Sequence, residues 1–315
     1  MIRRFKIAFL SILTVLVLAY GGAGQALLMR SRTGVGHPPK SLPVESVQIT
    51  TSGSDFISGW FIPGKPTRGA VLLLHGVRGN RHDMVGRAQF LHQLGYSVLL
   101  IDLPAHGEST GAHITYGLNE AEGVRAALQY LRKQLPEEKV GVIGASLGAA
   151  SLVLAKPDPA PSAVILESMF PTIREALSDR LDLYLGRIGD SLAPVLLWQL
   201  PLRLGISPDQ LRPIADMASL KSPVLIISGG GTSGPLCSRQ SGFMRRPTLP
   251  RNSGLSKERD TLICIGFNPP NMRLKSQRSW QSTYAMRVEQ SHQSDTGHRL
   301  FFSLPQQSEG RLGLL

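Results

Sequence analysis

Cysteine is scarce in this sequence, with two among 315 residues. That number excludes a disulfide-stapled scaffold and any cysteine-rich zinc or iron–sulfur module. Charged residues are also few, at 18%, whereas 42% of the chain is hydrophobic. A chain of this length and composition has enough apolar residues to bury a sizeable core, so general disorder does not fit it. We therefore expect a globular body.

Positive charge is unevenly distributed. The chain has a net charge of +12 at neutral pH, which by itself would favour an acidic partner. Residues 230–315 contain 12 Lys and Arg but 5 Asp and Glu, so most of the excess belongs to one segment. We expect no specific nucleic-acid partner.

An uncharged segment follows a basic N-terminus. Arg3, Arg4 and Lys6 precede residues 7–29, which contain no charged side chain and are long enough to span a bilayer as a helix. Small residues follow the most apolar part, as they do in a signal peptide. Residues 1–30 are therefore predicted to be a signal anchor, with a cleaved signal peptide or a buried core helix as alternatives.

The charges around this segment give the expected location. The basic N-terminus favours a single-pass membrane protein with an extracytoplasmic body, although basic residues at 30, 32 and 40 weaken that topology. A cleaved signal would instead give a secreted or periplasmic protein.

A regular pattern of short apolar runs begins after a Gly-, Pro- and Ser-rich linker at residues 31–45. Strands are predicted at residues 46–51, 57–62, 70–74, 97–101, 140–143, 163–166 and 224–228. Helical segments separate them, most clearly at residues 118–135, where apolar residues recur at three- and four-residue steps. The pattern predicts an α/β domain over residues 46–229, with a mostly parallel sheet, helices on both faces and a small helical cap at about residues 170–219.

The strongest chemical motif is Gly144-Ala145-Ser146-Leu147-Gly148, between a predicted buried strand and a helix. A nucleophilic serine has to project from a sharp strand-to-helix turn in a strained backbone conformation. The residues two before and two after it need to be glycine so that strand and helix can approach each other. We therefore interpret Ser146 as a nucleophile; the alternative is a purely structural glycine-rich turn.

A glycine-bracketed loop follows the strand at residues 70–74. Such a loop can direct a backbone N–H at an oxyanion, so Val77 and Leu147 are predicted to form an oxyanion hole. His75 is expected to brace the loop by hydrogen bonding rather than to act as the base. The phosphate-binding motif G-x-x-x-x-G-K-[ST] is not present, which excludes a P-loop here.

Segments 74–79, 101–109 and 144–148 together resemble the α/β-hydrolase fold, and within it the serine-aminopeptidase (S33), monoacylglycerol-lipase-like esterases. The resemblance covers about residues 45–229. It departs at Pro104-Ala105, where that family usually has Arg-Gly. The resemblance implies structural roles for Asp102 and His106, a serine-based reaction and no organic cofactor or metal.

The resemblance fails near residue 229. The family implies a carboxylate just after the strand at residues 224–228 and a histidine on a later loop, but the sequence continues with glycines and no acid. Ala and Val number 37 in residues 1–229 but two in the last 86. Only residues 261–267 resemble a strand, so the fold is predicted to be incomplete, without its last strand and helix.

Three hypotheses account for this atypical basic tail at residues 230–315. A reading-frame slip near Gly229 would remove the pattern abruptly. A natural divergent tail could instead contact anionic lipid or nucleic acid. In the third, a rewired C-terminus uses Asp260 or His298 as acid and base. Glu167, at the end of a predicted strand, is a further candidate acid, although a role in ordering the cap entrance is favoured.

The sequence thus leads to two functional hypotheses. The first is a membrane-associated serine hydrolase that cleaves a small-molecule or lipid ester or amide through an acyl-enzyme on Ser146. The second is a non-catalytic, hydrolase-like, membrane-tethered binding protein. It is favoured by the missing acid and histidine.

Overall fold

One mixed sheet of eight strands organises the computed structural model of the chain, which describes residues 2–51, 54–186, 188–229, 263–267, 287–289 and 301–303. The strands are β1 (Glu45–Thr50), β2 (Phe56–Ile62), β3 (Ala70–Leu74), β4 (Ser97–Ile101), β5 (Val140–Ala145), β6 (Ala163–Glu167), β7 (Val224–Gly229) and β8 (Ile263–Phe267). Their spatial order is β1-β2-β4-β3-β5-β6-β7-β8. β2 is antiparallel to both of its neighbours, and all pairs from β4 to β8 are parallel.

The helices alternate with these strands. They are α1 (Ile2–Leu28), α2 (Val85–Gln93), α3 (Leu118–Gln134), α4 (Leu147–Ala155), α5 (Ile173–Leu185), α6 (Ile188–Leu197), α7 (Gln199–Leu204) and α8 (Pro213–Asp216). The start of α3 is fixed by Glu120, whose buried carboxylate accepts hydrogen bonds from the backbone N–H groups of Thr115 and Gly117 and from the Thr115 hydroxyl. These bonds satisfy a carboxylate that would otherwise be costly to bury.

The central strands are buried on both faces. Every side chain of β3 and β4 is buried, as expected for the continuous apolar runs of parallel strands. Leu72 and Leu74 belong to the same core cluster as residues of α3 and α4, whereas Val71 and Leu73 belong to the cluster with α2. The alternation of a strand thus divides one apolar run between two helical layers.

Helices α5 to α8 lie between β6 and β7 in the chain and form the cap. Its own apolar cluster includes Ile173, Leu177, Leu197 and Leu200. Leu28, at the end of α1, belongs to the same cluster. The first helix of the chain is therefore part of the cap's packing.

These observations confirm the predicted α/β class with a mostly parallel sheet, helices on both faces and an inserted helical cap. The expectation that the sheet lacks its last strand is wrong, because Ile263–Phe267 pairs in parallel with β7. This strand falls within the one strand-like run of the tail. The prediction that no closing helix follows this strand concerns residues that lie outside the described ones.

The predicted linker is packed against the domain. The backbone of Ser31 donates to Ala105 O and accepts from Gly107 N, each at 2.9 Å, and Val35 is buried. The chain divides into two compact units, residues 1–268 and 269–315. Within the second, Arg287–Glu289 (β9) and Phe301–Ser303 (β10) pair as an antiparallel ladder.

Candidate active site

Ser146 occupies the turn between β5 and α4. Its backbone has φ +48° and ψ −106°, a conformation that residues other than glycine rarely adopt. The Ser146 N–H donates to Glu167 O at 2.8 Å, and Ser146 O accepts from Ala150 N at 3.0 Å. The turn is thus held on one side by β6 and on the other by α4.

The two glycines of the turn allow strand and helix to approach. A Cβ atom on Gly144 would lie 2.7 Å from Ala149 N, and one on Gly148 would lie 2.7 Å from both Cβ and O of Leu74. Real Cβ atoms essentially never come this close to backbone atoms. Glycine is therefore required at both positions by packing.

The loop after β3 lies against the same turn. Gly148 N donates to His75 O at 3.1 Å, which joins the loop to the first turn of α4. Leu147 is the first residue of α4, where backbone N–H groups have no acceptor within the helix. Val77 lines the same cavity as Ser146. The arrangement places the backbone of both predicted oxyanion donors, Val77 and Leu147, in segments next to the serine.

His75 is fully buried and bonded through both ring nitrogens. Nδ1 lies 2.7 Å from Gly76 O, and Nε2 accepts from the backbone N–H of Leu103 at 3.0 Å. These partners assign the proton to Nδ1. Burial, followed by the nearby His106 and Arg81, lowers the pKa of His75 from 6.5 to about 3. A neutral ring with both nitrogens engaged is unsuited to act as a base.

Asp102 and Arg81 form a buried ion pair in the neighbouring loop. The Asp102 carboxylate accepts from Arg81 Nη1 at 2.9 Å, from Arg81 N at 2.7 Å and from Glu108 N at 2.9 Å. Burial raises the pKa of Asp102, and the bonds from Arg81 oppose that shift. These contacts hold the loop between β4 and α3 to the segment after β3, which is a structural task.

Glu167 ends β6 beside Ala145, the residue before the serine. Its Oε1 accepts from Arg87 Nε at 3.1 Å, and its Oε2 pairs with Arg87 Nη2. Both carboxylate oxygens are thus engaged by one guanidinium, and the backbone oxygen of Glu167 accepts from Ser146. This geometry favours a positioning role for Glu167.

A cavity of about 180 Å³ opens beside Ser146. Three parts of the chain line it: the end of α1, the loop after β3, and the cap. Its apolar lining includes Gly24, Leu27, Leu28, Val77, Phe170, Ile173, Ala176, Leu177, Leu196, Leu197 and Leu200. Its polar lining consists of Arg78, Tyr116, Ser146, Arg180 and Gln199. An apolar cavity with a few polar groups suits a hydrocarbon chain attached to a reactive polar group.

The end of α1 forms a wall of this cavity, a role that the sequence pattern did not predict. Three carbonyls in the last turn of α1 are capped by the domain: Arg78 Nη2 donates to Ala26 O, Tyr116 Oη to Leu27 O at 3.0 Å, and the N–H of Ile114 to Leu28 O at 3.0 Å. Burial raises the pKa of Tyr116 to about 12, so the phenol stays protonated as this donor.

The structural roles of Tyr116 and Arg87 were also not predicted, because their hydrogen-bond partners are 80 or more residues away in the sequence. The small residues at 21–24 were a usable signal. Their pattern predicts a cleavage region, but Gly24 is buried against the cap.

The remaining candidate acid and base, Asp260 and His298, lie outside the described residues. Over the part of the chain that is described, the cavity lining includes no histidine. The same described residues contain no group of three or more His, Cys, Asp or Glu that could hold a metal ion.

Comparison with known sequences gives a family match. The model described as the alpha/beta hydrolase family matches residues 71–308. The uncharacterized protein Rv2307c of Mycobacterium tuberculosis is 33% identical over 190 residues, covering 58% of this chain and 60% of that protein. The uncharacterized protein YqkD of Bacillus subtilis is 26% identical over 175 residues, covering 54% and 57%. The chain therefore spans about 60% of the length of these curated relatives.

Comparison with solved structures gives the same fold. The Pyrococcus furiosus esterase Pf2001 superposes with a TM-score of 0.56 at 23% identity, covering 76% of this chain and 87% of that one. In a second crystal form of that esterase the TM-score is 0.50 at 27% identity, covering 64% and 77%.

Proposed function

The chain belongs to the alpha/beta hydrolase family, and from that premise we propose that it is a serine hydrolase that cleaves an ester bond, or an amide bond, through an acyl-enzyme on Ser146. The observation that supports this most is the strained Ser146 backbone between two glycines that packing requires. An esterase among the structural neighbours supports the ester as the first substrate to test. The three motifs given above support the S33, monoacylglycerol-lipase-like subgroup as a finer proposal.

In the proposed reaction, Ser146 Oγ attacks the substrate carbonyl carbon while its proton passes to a histidine. The backbone N–H groups of Val77 and Leu147 donate to the oxyanion of the tetrahedral intermediate. The histidine then protonates the leaving alcohol or amine, and the acyl group remains on Ser146. Water, deprotonated by the same histidine, hydrolyses the acyl-enzyme and restores the serine.

The family match supports a search for the histidine and its acid in the C-terminal part. It runs past residue 229 to residue 308 and so includes Asp260 and His298. These two residues, with Glu167, are the candidates to substitute in the chain as it stands. Translating the gene in the other frames after codon 229 tests the reading-frame slip. That hypothesis requires an Asp soon after β7 and a later His.

The nucleophile is tested with a water-soluble ester. We expect p-nitrophenyl acetate hydrolysis and labelling by a fluorophosphonate to be lost in Ser146→Ala, with a rate decrease of at least about 100-fold, because an alanine offers no attacking oxygen. Ser54→Ala, at an exposed serine between β1 and β2, is the matched control. Equal rates in the native chain and Ser146→Ala would show that this serine is not the nucleophile.

A non-catalytic binding protein is the second candidate. It is favoured by the observation that no described residue lining the cavity is a histidine. On that hypothesis the cavity still binds an apolar ligand, but neither hydrolysis nor labelling depends on Ser146.

We further propose that α1 is a retained membrane anchor. The helix is long and apolar enough to be an anchor or a signal sequence. Its first part is exposed along large apolar side chains such as Phe9, Leu16 and Leu18, which does not fit the buried core helix considered above. Its end lines the cavity, and signal cleavage near residue 24 would remove that wall. Retention with an extracytoplasmic body is therefore proposed, in preference to a secreted or periplasmic protein.

A further inference from the structure

The outer surface of the cap is unusually apolar. Five side chains of α6, α7 and the residue between them are 38–70% exposed and recur at steps of four, three, three and four residues: Ile188, Leu192, Val195, Trp198 and Leu202. We call these five residues the cap stripe. Residues 188–202 contain one charged side chain, Asp190. Single exposed apolar residues are ordinary, but a continuous helical stripe of them marks an interaction surface.

The cap stripe adjoins α1. Tyr20 Oη donates to Val195 O at 2.9 Å, and Gln199 Nε2 donates to Tyr20 O at 3.0 Å. Arg203 donates to Gly21 O at 2.8 Å and to Gln25 Oε1 at 2.9 Å. The end of α1 is therefore bound to the same helices that present the stripe.

The part of α1 that is not in contact with the cap is too short to span a bilayer. Only residues 7–19 are both uncharged and ahead of the first contact with the cap, and 13 helical residues rise about 20 Å. The hydrocarbon core of a bilayer is about 30 Å thick. A tilted helix reaches less far, so about six or seven more residues, to about residue 26, have to lie in the membrane for α1 to span it.

Those additional residues are the ones docked on the cap. We propose that the cap stripe lies in the lipid bilayer beside α1, and that the cavity next to Ser146 takes an acyl ester dissolved in that membrane. The substrate part rests on the proposed function. Immersing the cap stripe extends the apolar length around α1, and so reduces the mismatch. Arg203, which is bonded to Gly21 and Gln25, lies at the end of this apolar length. Trp198 then lies in the bilayer, because the next residue, Gln199, donates to the backbone oxygen of Tyr20, which is among the immersed residues of α1.

The cavity supports the substrate class. α1 contributes Gly24 and Leu28 to its lining, and the cap contributes Leu196 and Leu200, between stripe residues. The same helices therefore have one apolar side that is proposed to face the bilayer and another apolar side that lines the cavity. An acyl chain that moves from the bilayer into the cavity would pass from one apolar environment to another, and its ester would lie near Ser146.

The membrane contact is tested by fluorescence on the full chain reconstituted in phosphatidylcholine vesicles, with and without bromine on the acyl chains. Bromine quenches tryptophan in the bilayer. Trp60 is buried in the domain, and Trp280→Phe in all samples removes the tryptophan outside the described residues. We expect the fraction of emission lost to bromolipid to fall at least about twofold in Trp198→Phe, because Trp198 is the side chain in the membrane.

Equal quenching with and without Trp198 would overturn the proposal, including the case in which the bilayer thins around α1 and leaves the cap in water. Equal quenching together with a dimer by sedimentation would assign the stripe to a second copy of the chain. Trp198→Phe is a conservative change at an exposed position, so folding does not limit this experiment.

The substrate class is tested by two p-nitrophenyl esters, the palmitate in vesicles and the acetate in water. In Leu192→Glu/Leu202→Glu we expect the palmitate rate to fall about tenfold and the acetate rate to stay unchanged, because charges in the stripe withdraw the cap from the membrane. Gln129→Glu, exposed on α3, adds the same kind of charge as a control. An unchanged ratio of the two rates would overturn the substrate route. Absence of hydrolysis of either ester would refute the proposed function and leave the fluorescence result standing.

Discussion

Ser146 is held in an unfavourable backbone conformation by bonds on both sides. A residue other than glycine in such a conformation costs about 1–3 kcal/mol, and it persists only where the surrounding structure determines it. Here the surroundings are the bond to Glu167 O and the first turn of α4. The Arg87–Glu167 ion pair holds the end of β6 in turn, so the position of the hydroxyl depends on residues that need not contact substrate.

Packing at Gly148 gives a stability prediction. In Gly148→Ala the new methyl group would meet Leu74 and the carbonyl oxygen of His75 at 2.7–2.8 Å, and these atoms cannot rotate away. We expect the free energy of unfolding to fall by about 3 kcal/mol, as for overpacked cores. Urea unfolding followed by circular dichroism measures it.

The matched control for this prediction is Gly86→Ala. Gly86 is exposed in α2, with nothing within 4 Å of a Cβ atom. Alanine there should raise the free energy of unfolding by about 0.5–1 kcal/mol, because glycine loses more conformational freedom in a helix. A Gly148→Ala variant as stable as its Gly86→Ala counterpart would contradict the close approach of β3 and α4.

At the candidate site, the residues of one short segment could be predicted from the sequence, whereas pairs of residues far apart in the sequence could not. Ser146 and its glycines lie within five residues, and the turn chemistry of such a short segment is visible in the sequence. The partners of Glu167 and Leu27 are 80 and 89 residues away. Such pairs depend on the packing of whole elements, for which a single sequence contains no periodic signal.

At the scale of elements, the docking of α1 on the cap depends on Gly24. A Cβ atom there would lie 2.0 Å from Gln199 Oε1, and the Gln199 side chain is itself bonded to Tyr20 O and Arg203. In Gly24→Val the amide has to move, and the loss of two hydrogen bonds should lower the free energy of unfolding by about 2 kcal/mol.

Thermal unfolding of the full chain in detergent measures this loss. Gly22→Val is the control, since nothing lies within 4 Å of a Cβ atom on Gly22 and both variants place the same residue in the same helix. Equal midpoints for the two variants would show that α1 does not need this contact.

Strands were predictable because parallel strands need continuous apolar runs. The runs at residues 70–74 and 97–101 coincide with β3 and β4, and the helical period at residues 118–135 corresponds to α3 within one residue. The second role of α1 was not predictable. One apolar helix can face lipid on one segment and protein on the next, because both surroundings favour the same side chains.

For the whole molecule, the lowered pKa of His75 makes the free energy of unfolding depend on pH. Its pKa in the folded chain is lowered from 6.5 to about 3, so the folded chain stays neutral there while the unfolded chain takes up a proton. Between those two values the unfolded state binds more protons, and the free energy of unfolding therefore falls as the pH falls, by about 1.4 kcal/mol per pH unit from this residue. The stabilisation is complete above pH 6.5.

Urea unfolding at pH 6 and pH 4 measures this dependence. His75→Asn should lower stability at both values but reduce the difference between them, because the group that titrates is gone. His37→Asn, at an exposed histidine, is the matched control and should leave the difference unchanged. An unaltered difference in His75→Asn would show that the buried ring does not resist protonation.

The capped end of α1 has a consequence for the life of the protein in the cell. Because Arg78, Tyr116 and Ile114 bind the last carbonyls of α1, the cavity beside Ser146 keeps all of its walls only while this helix remains attached. A copy that lost this segment would have an open chamber and three unmatched donors. With the proposed roles of α1 and Ser146, one helix would carry both the membrane attachment and a wall of the active site, and a copy cleaved near residue 24 would lose both without any separate inhibitor.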